Sequence, residues 1–195
     1  MATSNYLEGR TRWSRPQGLL FSDNAGTLSN GIFVPQGSEA DGDFIIPSDH
    51  NRAAINLTQQ RIENRLRTIN GTMRSYHVAD KINLSVSWQN LPSRAHSQEE
   101  SYNADGIYDG TGIEYTADAG AGGVEMLEWY QNHSGPFYVY LSYDKYINFE
   151  ENRYDHLNQY SQVIHMFFSS FDYTISKRGA TNHDLWDITL SLEEV

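Results

Sequence analysis

The chain has 195 residues, a length that fits one domain, or one domain with a long arm. It contains no cysteine, which excludes disulfides and thiolate metal sites, and no apolar run approaches the roughly 20 residues that cross a bilayer as a helix. The net charge of −11 is split unevenly: residues 1–94 carry 10 basic and 8 acidic side chains, residues 95–195 carry 4 and 17.

Such a split can mark a basic nucleic-acid face, but the overall acidity, which repels a phosphate backbone, and the scatter of the arginines among apolar residues argue against specific nucleic-acid binding. It fits complementarity between copies, one subunit's Arg-rich half against the next subunit's acidic half. Head-to-tail contact of that kind builds rings and tubes. The polar start Met1-Ala2-Thr3-Ser4-Asn5 has no apolar h-region, so the expectation is a soluble chain made in a cytoplasm, without a membrane partner. The 13 tyrosines suit strands and protein interfaces, and the preference for Arg over Lys suits fixed, paired contacts.

Residues 1–43 are rich in Gly and Pro with only short apolar clusters, and read as an extended N-terminal arm. Such an arm either drapes over a neighbouring subunit or is an irregular lead-in packed on its own domain. The ordered domain is expected over 44–195, starting at the short run Phe44-Ile45-Ile46 before Pro47. Arg61 to Ile69 alternates charged and apolar residues and reads as a strand, turning at Asn70-Gly71 into Thr72 to His77. Lys81 to Trp88 is the cleanest strand, with Ile82, Leu84, Val86 and Trp88 on a buried face and Lys81, Asn83, Ser85 and Ser87 on a wet one.

Residues 95–121 read as a long polar loop. The spacing of Val124, Leu127 and Tyr130 then predicts a short helix to Asn132, with Glu125 and Glu128 on its solvated face. Phe137 to Tyr143 predicts a strand covered on both faces, and 144–160 a second long connection. Val163 to Ile175 predicts a long strand whose side-chain parity switches at Ser169-Ser170, the signature of a bulge. Trp186, Ile188, Leu190 and Leu192 form the last strand. The fold class is therefore mainly β: an antiparallel β-sandwich or split barrel with one short helix.

No nucleophile elbow, Walker A loop, zincin motif or EF-hand pattern occurs, and the expectation is that the chain is not an enzyme and needs no cofactor. Asn103, Asp105, Asp109 and Glu114 are oxygen-bearing residues close enough to be candidate Ca²⁺ ligands, although turn chemistry alone accounts for the Asp-Gly pairs among them. Asp118 to Gly123 precedes the helix and offers backbone N–H groups to an anion, but lacks a phosphate-binding Lys. His165, inside an apolar strand, reads as a hydrogen-bonded core or interface residue. The interface candidates are Arg10, Arg12, Trp13 and Arg15 in the arm, Arg61, Arg65, Arg67 and Arg74 around the first hairpin, and Tyr138 and Tyr140.

Arg61-Ile62-Glu63 through Asn70-Gly71-Thr72-Met73-Arg74-Ser75-Tyr76, continuing to Ala79-Asp80-Lys81 and Ser87-Trp88-Gln89-Asn90-Leu91-Pro92-Ser93-Arg94, resembles small structural proteins of tailed-bacteriophage tails, of the kind labelled minor tail proteins. Gly122 to Tyr130, Lys177-Arg178-Gly179 and Asp184 to Val195 share the resemblance, which covers roughly residues 44–195. It implies a tail-tube-type β-sandwich in the virion, assembled as a ring with itself and with other tail proteins, and without catalytic residues. Tube subunit, tube-end adaptor and baseplate component all satisfy it. The alternative reading is a carbohydrate-binding or adhesin-like β-sandwich module, for which the Tyr and Trp content and the loop at 103–114 speak.

Overall fold

A computed structural model describes residues 18–29, 32–37, 42–95, 115–118, 120–143, 160–178 and 183–195. Its strands are β1 (Leu19–Ser22), β2 (Thr27–Ser29), β3 (Ile32–Val34), β4 (Phe44–Ile45), β5 (Asn56–Arg67), β6 (Met73–Pro92), β7 (Phe137–Leu141), β8 (Gln162–Arg178) and β9 (Asp184–Glu194), with one helix, α1 (Gly123–Asn132). Seven strands form one antiparallel sheet in the order β4-β1-β7-β8-β9-β6-β5, and β2 pairs with β3 separately. The mainly antiparallel β class with one short helix is as the alternation required. Among the described residues the large sheet stays open, with β4 and β5 as its edges, so it is not a closed barrel.

The two strands with the clearest alternation pair directly. β6 and β9 set Leu84 opposite Leu192, Val86 opposite Leu190 and Trp88 opposite Ile188. Directly opposed residues share a face, so each pair joins two side chains of one apolar stripe. On its other side β9 meets β8, where Phe168 faces Leu192, Phe171 faces Leu190 and Tyr173 faces Ile188. The register slips between Phe168 and Ser170, so Ser169 is the extra residue that switches the parity of β8.

The main core lies on the α1 side of the sheet. Met126 and Trp129 of the helix pack with Leu84, Val86, Trp88, Val139, Met166 and Leu190, all buried. A smaller core on the opposite face joins Leu20, Phe44, Ile46, Tyr140 and Tyr160, with Phe33 of β3 packed against it. β7 is therefore covered on both faces, Phe137, Val139 and Leu141 on one and Tyr140 on the other. The Tyr140 hydroxyl donates to the Asn24 carbonyl at 2.7 Å, and burial raises its pKa to about 12. At neighbouring Gly26, with φ +67°, a Cβ would fall on the Val34 carbonyl oxygen and the Tyr140 hydroxyl, so this tight connection from β1 to β2 requires glycine.

One boundary expected from the sequence moves. Leu19–Ser22, inside the segment 1–43 read as an arm, is a fully buried strand between β4 and β7. A four-residue run with Gly and Asn on its flanks is too short to show periodicity, and its burial comes wholly from strands far along the chain. Residues 1–17 lie outside the described residues, as do most of the loops 95–121 and 144–160. The described end of the first loop is tied down: Ala121 donates to the Ile46 carbonyl at 2.9 Å and its own carbonyl accepts from Ser48 at 3.2 Å.

Two outcomes test this packing. Trp88 is 1% exposed and its indole N–H donates to the Ser48 carbonyl at 2.6 Å. Trp88→Ala should cost on the order of 3–5 kcal/mol in urea denaturation, as for other buried aromatics; a loss under about 1 kcal/mol would contradict its place in the core. Deleting residues 1–43 removes β1 and leaves β4 and β7 without their shared neighbour, so the truncated chain should lose the cooperative unfolding transition of the full chain.

Candidate assembly surface

β6 is far longer than its partner on the sheet. Asn83, opposite Glu193, is the first β6 residue paired with β9, and from Arg61–Asp80 out to Arg67–Met73 strands β5 and β6 pair, among the described residues, only with each other. Seven residues of β5 thus project as a two-stranded ribbon, about 20 Å long at roughly 3.3 Å per residue. Its tip is the expected Asn70-Gly71 turn: Gly71 has φ +79°, its N–H donates to the Thr68 carbonyl at 2.9 Å, and Thr68 N–H donates to the Thr72 carbonyl at 2.9 Å.

A bulge at Val78 shifts the register between Ile62 and Glu63 and keeps the two faces of the ribbon distinct. Ile62, Asn64 and Leu66 share one face with Arg74, Tyr76 and Ala79. The other face carries Arg61, Glu63, Arg65 and Arg67 beside Met73, Ser75, His77 and Asp80. The first face is apolar and uncovered: Ile62 is 44%, Leu66 65% and Tyr76 74% exposed, with Val78 at 62% beside them.

The second face is an ion-pair ladder. Arg61 Nε donates to Asp80 at 3.0 Å and His77 Nε2 lies 3.1 Å from the same carboxylate. Arg65 forks onto Glu63, which also accepts from the Ser75 hydroxyl. Hydrogen bonds from Arg61 and then His77 hold the Asp80 carboxyl below its ordinary pKa; those from Arg65 and then Ser75 do the same for Glu63. These pairs are solvated, so they set register and add little stability. Arg67 and Arg74, at the tip, form no ion pair among the described residues.

The remaining candidates fall elsewhere. Tyr138 is half-buried and stacks on His165 with ring centroids 4.6 Å apart, while Tyr140 is 0% exposed and belongs to the smaller core, not to a surface. Arg10, Arg12, Trp13 and Arg15, and the Ca²⁺ candidates Asn103, Asp105, Asp109 and Glu114, lie outside the described residues. Among the described residues no three His, Asp or Glu side chains are grouped to hold a metal ion. Nor is any described helix long and apolar enough to cross a membrane.

The helix N-terminus weighed as an anion site is filled from within. Glu125 is buried, not on a solvated face, and its carboxylate accepts from Gly122 N–H at 3.0 Å. Gly122 and Gly123 serve packing: a Cβ at the first would strike the Pro92 carbonyl and Arg94 backbone, and at the second the Trp186 ring. Burial raises the Glu125 pKa to about 7, against the opposing pull of backbone N–H groups and Arg94.

A second surface feature was not legible in the sequence. At the C-terminal end of α1, Tyr130, Gln131, His133, Ser134, Phe167 and Phe168 line an open cleft of about 390 Å³. Its aromatic floor is ordered: Tyr130 stacks on Phe171 at 4.9 Å and meets Phe168 edge-on at 5.1 Å. His133 stacks on Trp129 at 3.6 Å, and its Nε2 lies 2.8 Å from Asp23. The helical spacing that marks Tyr130 as a packing residue does not show that β8 leaves part of its ring open.

No protein-family model matches the sequence, and no curated protein matches it. Among solved structures, a chain from the tail of an empty GTA particle, computed with helical refinement and C6 symmetry, superposes over 87% of this chain and 95% of its own, with a TM-score of 0.41 and 9% identity. Likeness of that degree is too slight to carry any inference for this chain.

Glu125 makes a pH-dependent contribution with a definite sign. Its folded pKa of about 7 lies above its ordinary value of 4.5, so the native state holds the proton more tightly. The stability this adds is complete below about pH 4.5 and is lost as pH rises through about 7. Urea midpoints measured between these limits should fall with rising pH, and Glu125→Gln should flatten that slope; an unchanged slope would contradict the burial.

Proposed function

We propose that the chain is a structural subunit of a bacteriophage-type tail (a tube, tube-end adaptor or baseplate ring component) that assembles through contacts with its own copies and with other tail proteins. Its place is the virion, and its role is mechanical, without catalysis. The observation that carries this reading is the β5–β6 ribbon. A two-stranded ribbon with no third strand is marginal in water, and here it holds Ile62, Leu66, Tyr76 and Val78 exposed on an element that no core of the described residues backs. Such an element is made for a partner.

The charge pattern supports self-association. The ribbon from Arg61 to Asp80 carries four arginines and two acids in a chain whose net charge is −11. Complementary surfaces on one chain allow head-to-tail contact, the geometry that closes rings or extends tubes. The resemblance of the Arg61 to Arg94 stretch to minor tail proteins supports a phage tail as the setting of that contact. An acidic surface also suits a lumen through which DNA slides, since like charge removes the counterion-release gain of binding.

Sedimentation of the purified chain over a range of concentrations tests the proposal. Oligomers should form as concentration rises, and Tyr76→Asp should suppress them without lowering the unfolding midpoint, because Tyr76 is exposed. A chain that stays monomeric at high concentration and instead binds a glycan would overturn the proposal in favour of a carbohydrate-binding module.

A further inference from the structure

We infer that the apolar face of the ribbon of one copy seats in the aromatic cleft between α1 and β8 of the next copy. This rests on the assembly reading above and names its two surfaces. The donor face presents Leu66 and Tyr76, both exposed, with Arg74 directly opposite Leu66 on the same face. The acceptor is the open cleft of about 390 Å³ floored by Tyr130, Phe167 and Phe168, large enough to take a tyrosine side chain.

Charge selects a second copy as the occupant. From Tyr115 to Ser176 the described residues contain no Lys or Arg, and the two cations of β8, Lys177 and Arg178, stand at its far end, nine or more residues beyond Phe168. Glu193 lies directly opposite Phe167 and is exposed, and Asp23 stands on His133 at the other side. The last turn of α1 holds no basic residue, which leaves the negative end of the helix dipole facing the cleft without a built-in lysine or arginine. The donor face supplies what is missing: Arg74 has no ion-pair partner among the described residues of its own chain. Apolar side chains thus meet an aromatic floor while the free Arg74 guanidinium meets an acidic rim. Donor and acceptor are different surfaces, so each copy engages two neighbours and the contact propagates.

The absence of cysteine allows a direct test. Asn64→Cys, on the donor face between Ile62 and Leu66, and Ser134→Cys, at the cleft, are both exposed and are made in separate full-length chains. The two chains are mixed and oxidised, and the cross-linked species identified by mass. The expected result is a mixed dimer in clear excess over either self-linked dimer, and its loss when Leu66→Asp is added to the Asn64→Cys chain. An unchanged unfolding midpoint for that double variant shows that the loss is not misfolding. Oligomers that form without the mixed dimer, or a dominant Asn64→Cys self-dimer, would overturn this inference and leave the assembly reading standing. A mixture that stays monomeric would overturn both.

Discussion

Cross-strand packing along β9 is the constraint on which the rest of the described fold depends. Leu190 is opposed by Val86 on one side and Phe171 on the other, and Ile188 by Trp88 and Tyr173, so one strand joins the two longest strands of the sheet. Because β9 ends at Glu194 while β6 runs back to Met73, the first half of β6 has no strand neighbour except β5 among the described residues. The ribbon is therefore a consequence of unequal strand lengths around a shared core. Its root is clamped by the chain's end: Ile82 N–H donates to the Glu194 carboxylate at 2.8 Å, and the Lys81 ammonium donates to the Val195 carbonyl.

The sequence showed what period and turn chemistry encode. The Asn70-Gly71 turn, the inward set Leu84, Val86 and Trp88, the bulge in β8 and the helix ending at Asn132 all stand in the structure. Non-local pairing stayed hidden. The alternation in Arg61 to Ile69 reads as a strand, and it is one, but β5 has Glu63 as its one half-buried residue and none fully buried. Period two reports that a strand has two unlike faces, not whether anything covers the apolar one. The same limit hid β1, whose four residues carry no periodicity of their own and owe their burial to β4 and β7.

Among the site candidates, arginines were easier to place than tyrosines. Arg61, Arg65, Arg67 and Arg74 do share one projecting element, because they fall on a local hairpin. Tyr138 and Tyr140 stand two residues apart on the same face of β7, and only the second core, assembled from β1, β4 and Tyr160, decides that Tyr140 is buried while Tyr138 is half-buried at its margin. Glu125 shows the same rule for charge. Its spacing from Glu128 suggested a solvated pair, but the close approach of Gly122 to the Pro92–Arg94 backbone sinks the first turn of α1 and turns its carboxylate onto the helix's own N–H groups. A feature that looked open to a ligand is a structural latch.

The account's central claim is that the ribbon is unfinished in the lone chain and completed by contact. Hydrogen–deuterium exchange of the full chain, dilute and then concentrated enough to associate, tests it most directly. The account predicts new protection concentrated in 61–80, with a matching gain at 130–134 and 167–168, while the β6–β9 core exchanges slowly in both conditions. Association that leaves the ribbon amides as fast as in the dilute chain would contradict it.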